Sequence, residues 1–255
     1  MQGFSIQDED KTDANNTRGS EVWLSPAIAL SMVSLWTISV GVAFSLNLES
    51  VPLIGKVLIL LWQTLLYTGL FITAHDAMHG AAFPLNRAVN DGFGTVVLWL
   101  YGLFSYKELL RRHTLHHQFP ASEQDPDYSR GKQTGFWAWY WSFMTRYWSW
   151  KRFFALVITF HLVHHFLGVA ESNLAWGWVY PSVLSSLHLF YFGTYLPHRQ
   201  PALGYTDHHC STTIPRPFLL SLLACYHFGY HYEHHAYTQV PWWQLPKVYR
   251  EQSLS

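Results

Sequence analysis

Residues 57–74 read VLILLWQTLLYTGLFITA, without a single charge, and run directly into His75-Asp-Ala-Met-His79. An uncharged run of this length is a candidate helix for crossing a bilayer core of about 30 Å. Lys56 can snorkel toward water, which extends the run back to Pro52. The helix then delivers two histidines, four residues apart and on one face, to the membrane surface.

The same pattern recurs along the chain. Residues 22–46 are uncharged and long enough to span, and residues 153–170 and 172–196 make two further spans with a short polar link at Glu171-Ser172-Asn173. Residues 92–106 are apolar but short, which favours a hairpin that enters the membrane and returns. Residues 217–226 are too short to cross and are expected at the interface. The expected fold is an all-α integral membrane protein of about four transmembrane helices plus a re-entrant hairpin.

Composition agrees. Of 255 residues, 49% are hydrophobic, 18% aromatic and only 13% charged, about half the charged share of a soluble domain. The net charge of zero argues against a nucleic-acid partner. Cys210 and Cys225 make no disulfide framework and read as buried small residues. Residues 1–21 are polar and lack a signal-peptide pattern, so a disordered cytoplasmic tail is expected ahead of a single domain over 22–255. In the four-span arrangement the basic residues from Arg87 to Arg250, Arg130 and Lys132 among them, fall on one side. The connections around Asn47–Ser50 and Glu171–Asn173 carry acid instead. This positive-inside pattern puts both termini on the cytoplasmic face of a multi-pass membrane protein.

Histidine is the compositional anomaly, with 16 residues against 16 Lys and Arg together. His113-Thr-Leu-His116-His117 and His231-Tyr-Glu-His234-His235 share the spacing of three and four that places imidazoles on one helix face. With His75 and His79 they form three clusters on the cytoplasmic side. Packing does not call for polar rings at repeated ligand spacing, and neutral imidazole suits iron, zinc, copper or nickel. Eight histidines exceed the needs of one ion, so two are expected. His198 ends the 172–196 span level with the clusters and is the next candidate ligand. His227 follows it, as a ligand or as an outer partner on the face of His231. Asp76, Asp125, Asp127 and Glu233 stand near the clusters and are candidates to accept the second ring N–H of a ligating histidine. For Asp125 and Asp127 a plain solvated turn is an equal reading.

Three other features carry both a functional and a plain reading. His161-Leu-Val-His164-His165 repeats the HxxHH spacing inside a span, away from the cytoplasmic face. It reads as neutral histidines bonding across helices inside the bundle. His188, about 15 Å deeper than His198, reads likewise as a bundle histidine. The aromatic segment FWAWYWSFMTRYWSW, residues 136–150, reads first as an interfacial belt and second as a wall of a substrate entrance. Outside enzymes, a bis-histidine haem carrier or a metal transporter would also collect histidines. The haem requires facing pairs within the bundle and the transporter a path of ionisable groups along the spans, neither of which this pattern supplies.

These clusters resemble the histidine boxes of the membrane fatty acid desaturase and hydroxylase superfamily. The stretches HTLHHQFPASEQDPDY (113–128), FGTYLPHR (192–199) and YHFGYHYEHHAYTQVPWWQLP (226–246) bring the resemblance closer to bacterial-type β-carotene 4-ketolases. It runs from about Val22 to Pro246. The resemblance implies a desaturase-like catalytic domain with a cytoplasmic di-iron cap of two non-haem Fe. It implies that His198 matches a ninth ligand beside His75, His79, His113, His116, His117, His231, His234 and His235. The implied chemistry uses O2 and an electron donor such as ferredoxin. The C4 methylenes of β-carotene are hydroxylated twice, and loss of water gives echinenone and then canthaxanthin. A carotenoid ring hydroxylase or a fatty acyl desaturase on the same scaffold is the alternative.

Overall fold

The computed structural model describes residues 7–129 and 135–254, with the backbone alone for residues 7–21. Arg130 and Lys132 of the charge pattern lie outside the described residues, as do residues 1–6. Among the described residues there is no sheet, only one isolated bridge between Thr213 and Tyr230.

Helix α1 (Gln7–Ser45) begins well before the apolar span. Residues 7–21, where composition pointed to a disordered tail, are helical here. Extending a helix already nucleated by its apolar part costs far less than starting one. Helix α2 (Leu53–Met78) is central, with α1, α3 (Arg87–Gly102) and α8 (Tyr180–Leu189) packed around it. Two helices are long and apolar enough to cross a membrane: Val22–Ser45 within α1, and α2.

Close approach depends on two glycines. A Cβ at Gly69 would lie 2.5 Å from the Tyr226 hydroxyl and 2.6 Å from the Met32 sulfur, and a Cβ at Gly94 would fall into the Tyr106 ring. Between these contacts sits an aromatic core in which Trp36 meets Tyr67 edge-on at 5.4 Å. Helix ends are joined by side chains that satisfy their orphan carbonyls. Asn173 donates to the carbonyls of Ala43, Phe44 and Leu46 at the end of α1. Asn90 and Tyr106 both donate to Ala77 O at 2.7 Å, just past His75 in α2.

Helix α4 (Tyr106–Gln118) starts at a Ser105-x-x-Glu108 cap, with Ser105 Oγ accepting from Glu108 N. The aromatic helix α5 (Phe136–Arg146) precedes α6 (Trp150–Leu167), which has no buried residue. From Glu171 to His198 the chain is one helical run: α7 (Glu171–Leu174), a π-helical turn (Ala175–Val179), α8, a second π-helical turn (Phe190–Tyr195) and α9 (Leu196–His198). Short helices α10 (Phe218–Leu223), α11 (His231–Ala236) and α12 (Leu245–Gln252) close the fold.

Candidate metal centre

Four elements bring their histidines to one place. The end of α2 supplies His75 and His79, α4 supplies His113, His116 and His117, α9 supplies His198, and α11 supplies His231, His234 and His235. The rings sort into two groups. His75, His79, His113, His117 and His234 form one, and His116, His198, His231 and His235 the other, with the donor atoms in each within 4.8 Å of one another. Each element that carries an HxxHH box divides it between the groups. All nine histidines singled out in the sequence therefore converge.

The imidazoles face inward through Nε2. His79 and His113 approach to 2.7 Å, His113 and His117 to 3.0 Å, and His198 and His231 to 2.9 Å, all between Nε2 atoms. Burial, reinforced by the neighbouring rings, holds His113, His117, His231, His234 and His235 well below the ordinary imidazole range. Burial likewise lowers His79 to about 4. Burial thus favours the neutral ring, which offers a lone pair. Buried Nδ1 atoms of His75, His117, His231 and His235 have no hydrogen-bond partner among the described residues. Nine imidazoles, six buried and three partly so, with their ring nitrogens gathered at two points, fit metal ions.

His116 differs from the rest. Burial pulls its pKa down, but the charge of Asp125, the hydrogen bond to it and the charge of Asp127 leave it above the ordinary value. Its Nδ1 stands 3.0 and 3.1 Å from the two carboxylate oxygens of Asp125. Asp125 also accepts from Ala121 N and Asp127 N, so the loop after α4 is folded around this carboxylate. His198 Nδ1 is held in turn by Cys210 O at 2.9 Å. Asp127 lies 4.0 Å from His116 Nδ1 and accepts the Tyr147 hydroxyl. Asp125 and Asp127 thus act on the second group, and the first has Asp76 4.0 Å from His75 Nδ1.

Other sequence candidates are placed elsewhere. His227 belongs to neither group. Its Nδ1 meets Ser221 Oγ at 3.0 Å, and its ring stacks on Trp242. It closes a run of three left-handed residues, Cys225, Tyr226 and His227, with φ of 83, 50 and 63°. Such strain persists only where surrounding contacts enforce it, and here the turn reverses the chain from α10 into α11. Asp76 accepts from Trp242 N and stands 4.0 Å from His75 Nδ1, while Glu233 accepts from Thr213 and anchors a loop. His161 and His165 do not face the bundle interior. Both are exposed on α6, and His164 Nδ1 meets Val169 O near its own helix end. Helix α6 buries no residue, so spacing alone did not turn its rings inward. His188 does bond across helices, 3.0 Å from Thr68. Cys225 is buried, but Cys210 is only partly so.

A cavity of 330 Å³ leads to both histidine groups, with His75, His113, His116 and His231 in its wall. The rest is mostly apolar and includes Phe71, Tyr101, Phe143 and Phe190. The segment 136–150 divides by face. Trp137 and Trp141 are exposed, while Phe143, Met144, Tyr147 and Trp148 line the cavity. Gly193 and Thr194, in the second π-helical turn, line it too. Sequence reasoning missed them because a π-helical turn leaves no hydrophobic period to read; Pro197 just beyond was the available signal.

The helical bundle and its convergent imidazoles define an all-helical histidine-box protein. The chain belongs to the fatty acid desaturase family, whose model matches residues 51–161 and 142–253. A beta-carotene ketolase of Paracoccus sp. (strain PC1) is 41% identical over 200 residues, covering 77% of this chain and 80% of that protein. Beta-carotene 4-ketolase 3 of Haematococcus lacustris is 42% identical over 192 residues, 72% of this chain and 59% of that protein. A zeaxanthin 4-ketolase of Chlamydomonas reinhardtii is 35% identical over 235 residues, 87% of this chain and 52% of that protein. With two membrane-length helices, the family marks a membrane protein.

Proposed function

We propose that the chain is a β-carotene 4-ketolase, an oxidoreductase that turns the C4 methylene of a β-ionone ring into a ketone. The observation that carries this reading is an apolar cavity that reaches both histidine groups. Similarity to ketolases of bacteria and algae names the substrate class.

In this reading the first group holds one iron and the second the other, with His198 as the ninth ligand. Bound there, the irons supply the reactivity toward O2 and C–H bonds that no side chain possesses. The chain's own residues do the remainder. Asp125 fixes the orientation of His116 and raises its basicity, and Cys210 O does the same for His198. Phe71, Phe143 and Phe190 form a dry wall that accepts a ring and polyene and excludes water. A volume of 330 Å³ sits at the low end for ligand cavities, so one ring and part of the chain enter at a time. Echinenone is then the obligate product before canthaxanthin, and the two rings react in separate encounters. O2 and an electron donor such as ferredoxin complete the balance.

Four spans carry this site: α1 from Val22, α2, residues 153–170 and the run from Glu171 to His198. That last run is 28 residues, roughly 40 Å of helix, ample for a bilayer core. Helix α3 enters and α4 turns back at the cytoplasmic face, which the basic residues mark.

Expression in a β-carotene-producing host, with pigments separated by chromatography, tests the function. Echinenone and canthaxanthin are expected. Only 3-hydroxylated or unchanged carotenoid, from a protein shown to contain iron, would overturn it.

A further inference from the structure

A second cavity of 640 Å³ lies between the start of α4 and the start of α6. Its wall holds Arg112, Arg146, Lys151 and Arg152 against one acid, Glu108. Glu108 is already engaged, at 2.9 Å from Arg111 and 2.8 Å from Arg112. Arg152 donates to the Tyr147 carbonyl and stacks on the Phe104 ring at 3.8 Å, contacts that orient a guanidinium without neutralising it. Neither Lys151 nor Arg152 has a carboxylate partner among the described residues. Both stand in the first turn of α6, where the helix end already carries partial positive charge. Positive charge gathered at such a place is unfavourable unless an anion joins it.

The surroundings say which anion. Trp99 is 65% exposed and Trp148 48% exposed, and both line this cavity. Exposed tryptophans of this kind belong at headgroup level. We infer that this cavity binds the phosphate headgroup of an anionic phospholipid, with Lys151 and Arg152 as its main cationic contacts. The inference rests on the membrane placement proposed above. It also has a consequence for the substrate cavity, because Phe104, Tyr147, Trp148 and Arg152 line both. A bound lipid fixes the wall that separates them.

The test uses the full-length protein in detergent, with phosphatidylglycerol or phosphatidylcholine added and retained lipid read by native mass spectrometry. Two basic side chains at a membrane surface lead to a preference of about 30-fold for phosphatidylglycerol. Lys151→Gln with Arg152→Gln should bring the ratio near one, and Arg152→Lys should keep it. Should the double variant fail to fold, Lys151→Glu at the exposed position should still lower the ratio several-fold. Equal retention of both lipids by the wild type, or an unchanged ratio in folded Lys151 variants, overturns the assignment. Displacement of the lipid by millimolar inorganic phosphate would make this a phosphate site, and displacement by an acidic electron-carrier protein a docking face; either result also overturns it. Keto-carotenoid production is scored separately, so equal retention of both lipids by an active wild-type ketolase counts against this site alone.

Discussion

Replacing Asp125 by Asn tests the metal centre at its most connected point. Asp125 is 1% exposed. Its two oxygens receive three donors: His116 Nδ1, shared at 3.0 and 3.1 Å, Ala121 N at 2.9 Å and Asp127 N at 2.8 Å. Asparagine keeps one oxygen and places an NH2 where the other was, so one backbone N–H then faces a donor. That mismatch costs about 1–3 kcal/mol of stability. The larger consequence is for His116, which loses the anion that orients and polarises its ring. Loss of such a partner lowers metal affinity by about 10–100-fold, or roughly 1.4–2.7 kcal/mol. Only the second histidine group is affected, because Asp125 bonds to no ring of the first. Purified Asp125→Asn is therefore expected to hold close to one iron per chain after brief chelation, where the wild type holds two. Keto-carotenoid yield should fall in parallel. Ser122→Ala, which removes a bond to Phe119 O in the same loop without touching His116, is the control and should keep both irons. An Asp125→Asn protein with two chelator-resistant irons would refute the role given to this carboxylate.

Three further outcomes separate ligand from scaffold. His198→Ala should lose iron from the second group, whereas His227→Ala should keep its iron and lose thermal stability, since His227 holds a left-handed turn against Ser221; elemental analysis with a melting curve distinguishes them. His164→Ala should retain substantial keto-carotenoid production and normal iron, because its only close partners lie at the end of α6 and in Glu171. Gly94→Ala should destabilise the folded protein by about 1–3 kcal/mol through overpacking against Tyr106 and Ala77, read as a lowered melting temperature in detergent.

Much of the centre was legible because ligand spacing is a local property. A separation of three or four residues commits side chains to one helix face whatever the remainder of the chain does. His198 was legible for a different reason: its distance from the start of its hydrophobic run gave its depth. What could not be read depends on irregular backbone. The π-helical turn at Phe190–Tyr195 rotates the end of the helical run, so that Gly193 and Thr194 reach the cavity while His198 meets His231. The left-handed stretch Cys225–His227 consists of residues that seldom adopt positive φ, so the sequence carries no glycine signal for the turn. His227 looked like a ligand because it is four residues before His231, but that spacing has meaning only if one helix spans both. Helix α11 begins at His231.

The HxxHH at 161–165 shows the limit of spacing most clearly. It matches the boxes at 113–117 and 231–235 residue for residue in its histidines. Two of its rings, His161 and His165, lie parallel at 5.9 Å on the exposed face of α6, and His164 meets Glu171 at 3.8 Å. Among the described residues no second element brings further imidazoles to that face. At the centre, by contrast, α2, α4, α9 and α11 each contribute a face, and every ring has neighbours from at least one other element. One helix turn supplies at most two or three imidazoles to a point. A buried ion needs its remaining ligands from other helices, so a box becomes a site only where bundle geometry makes several faces meet.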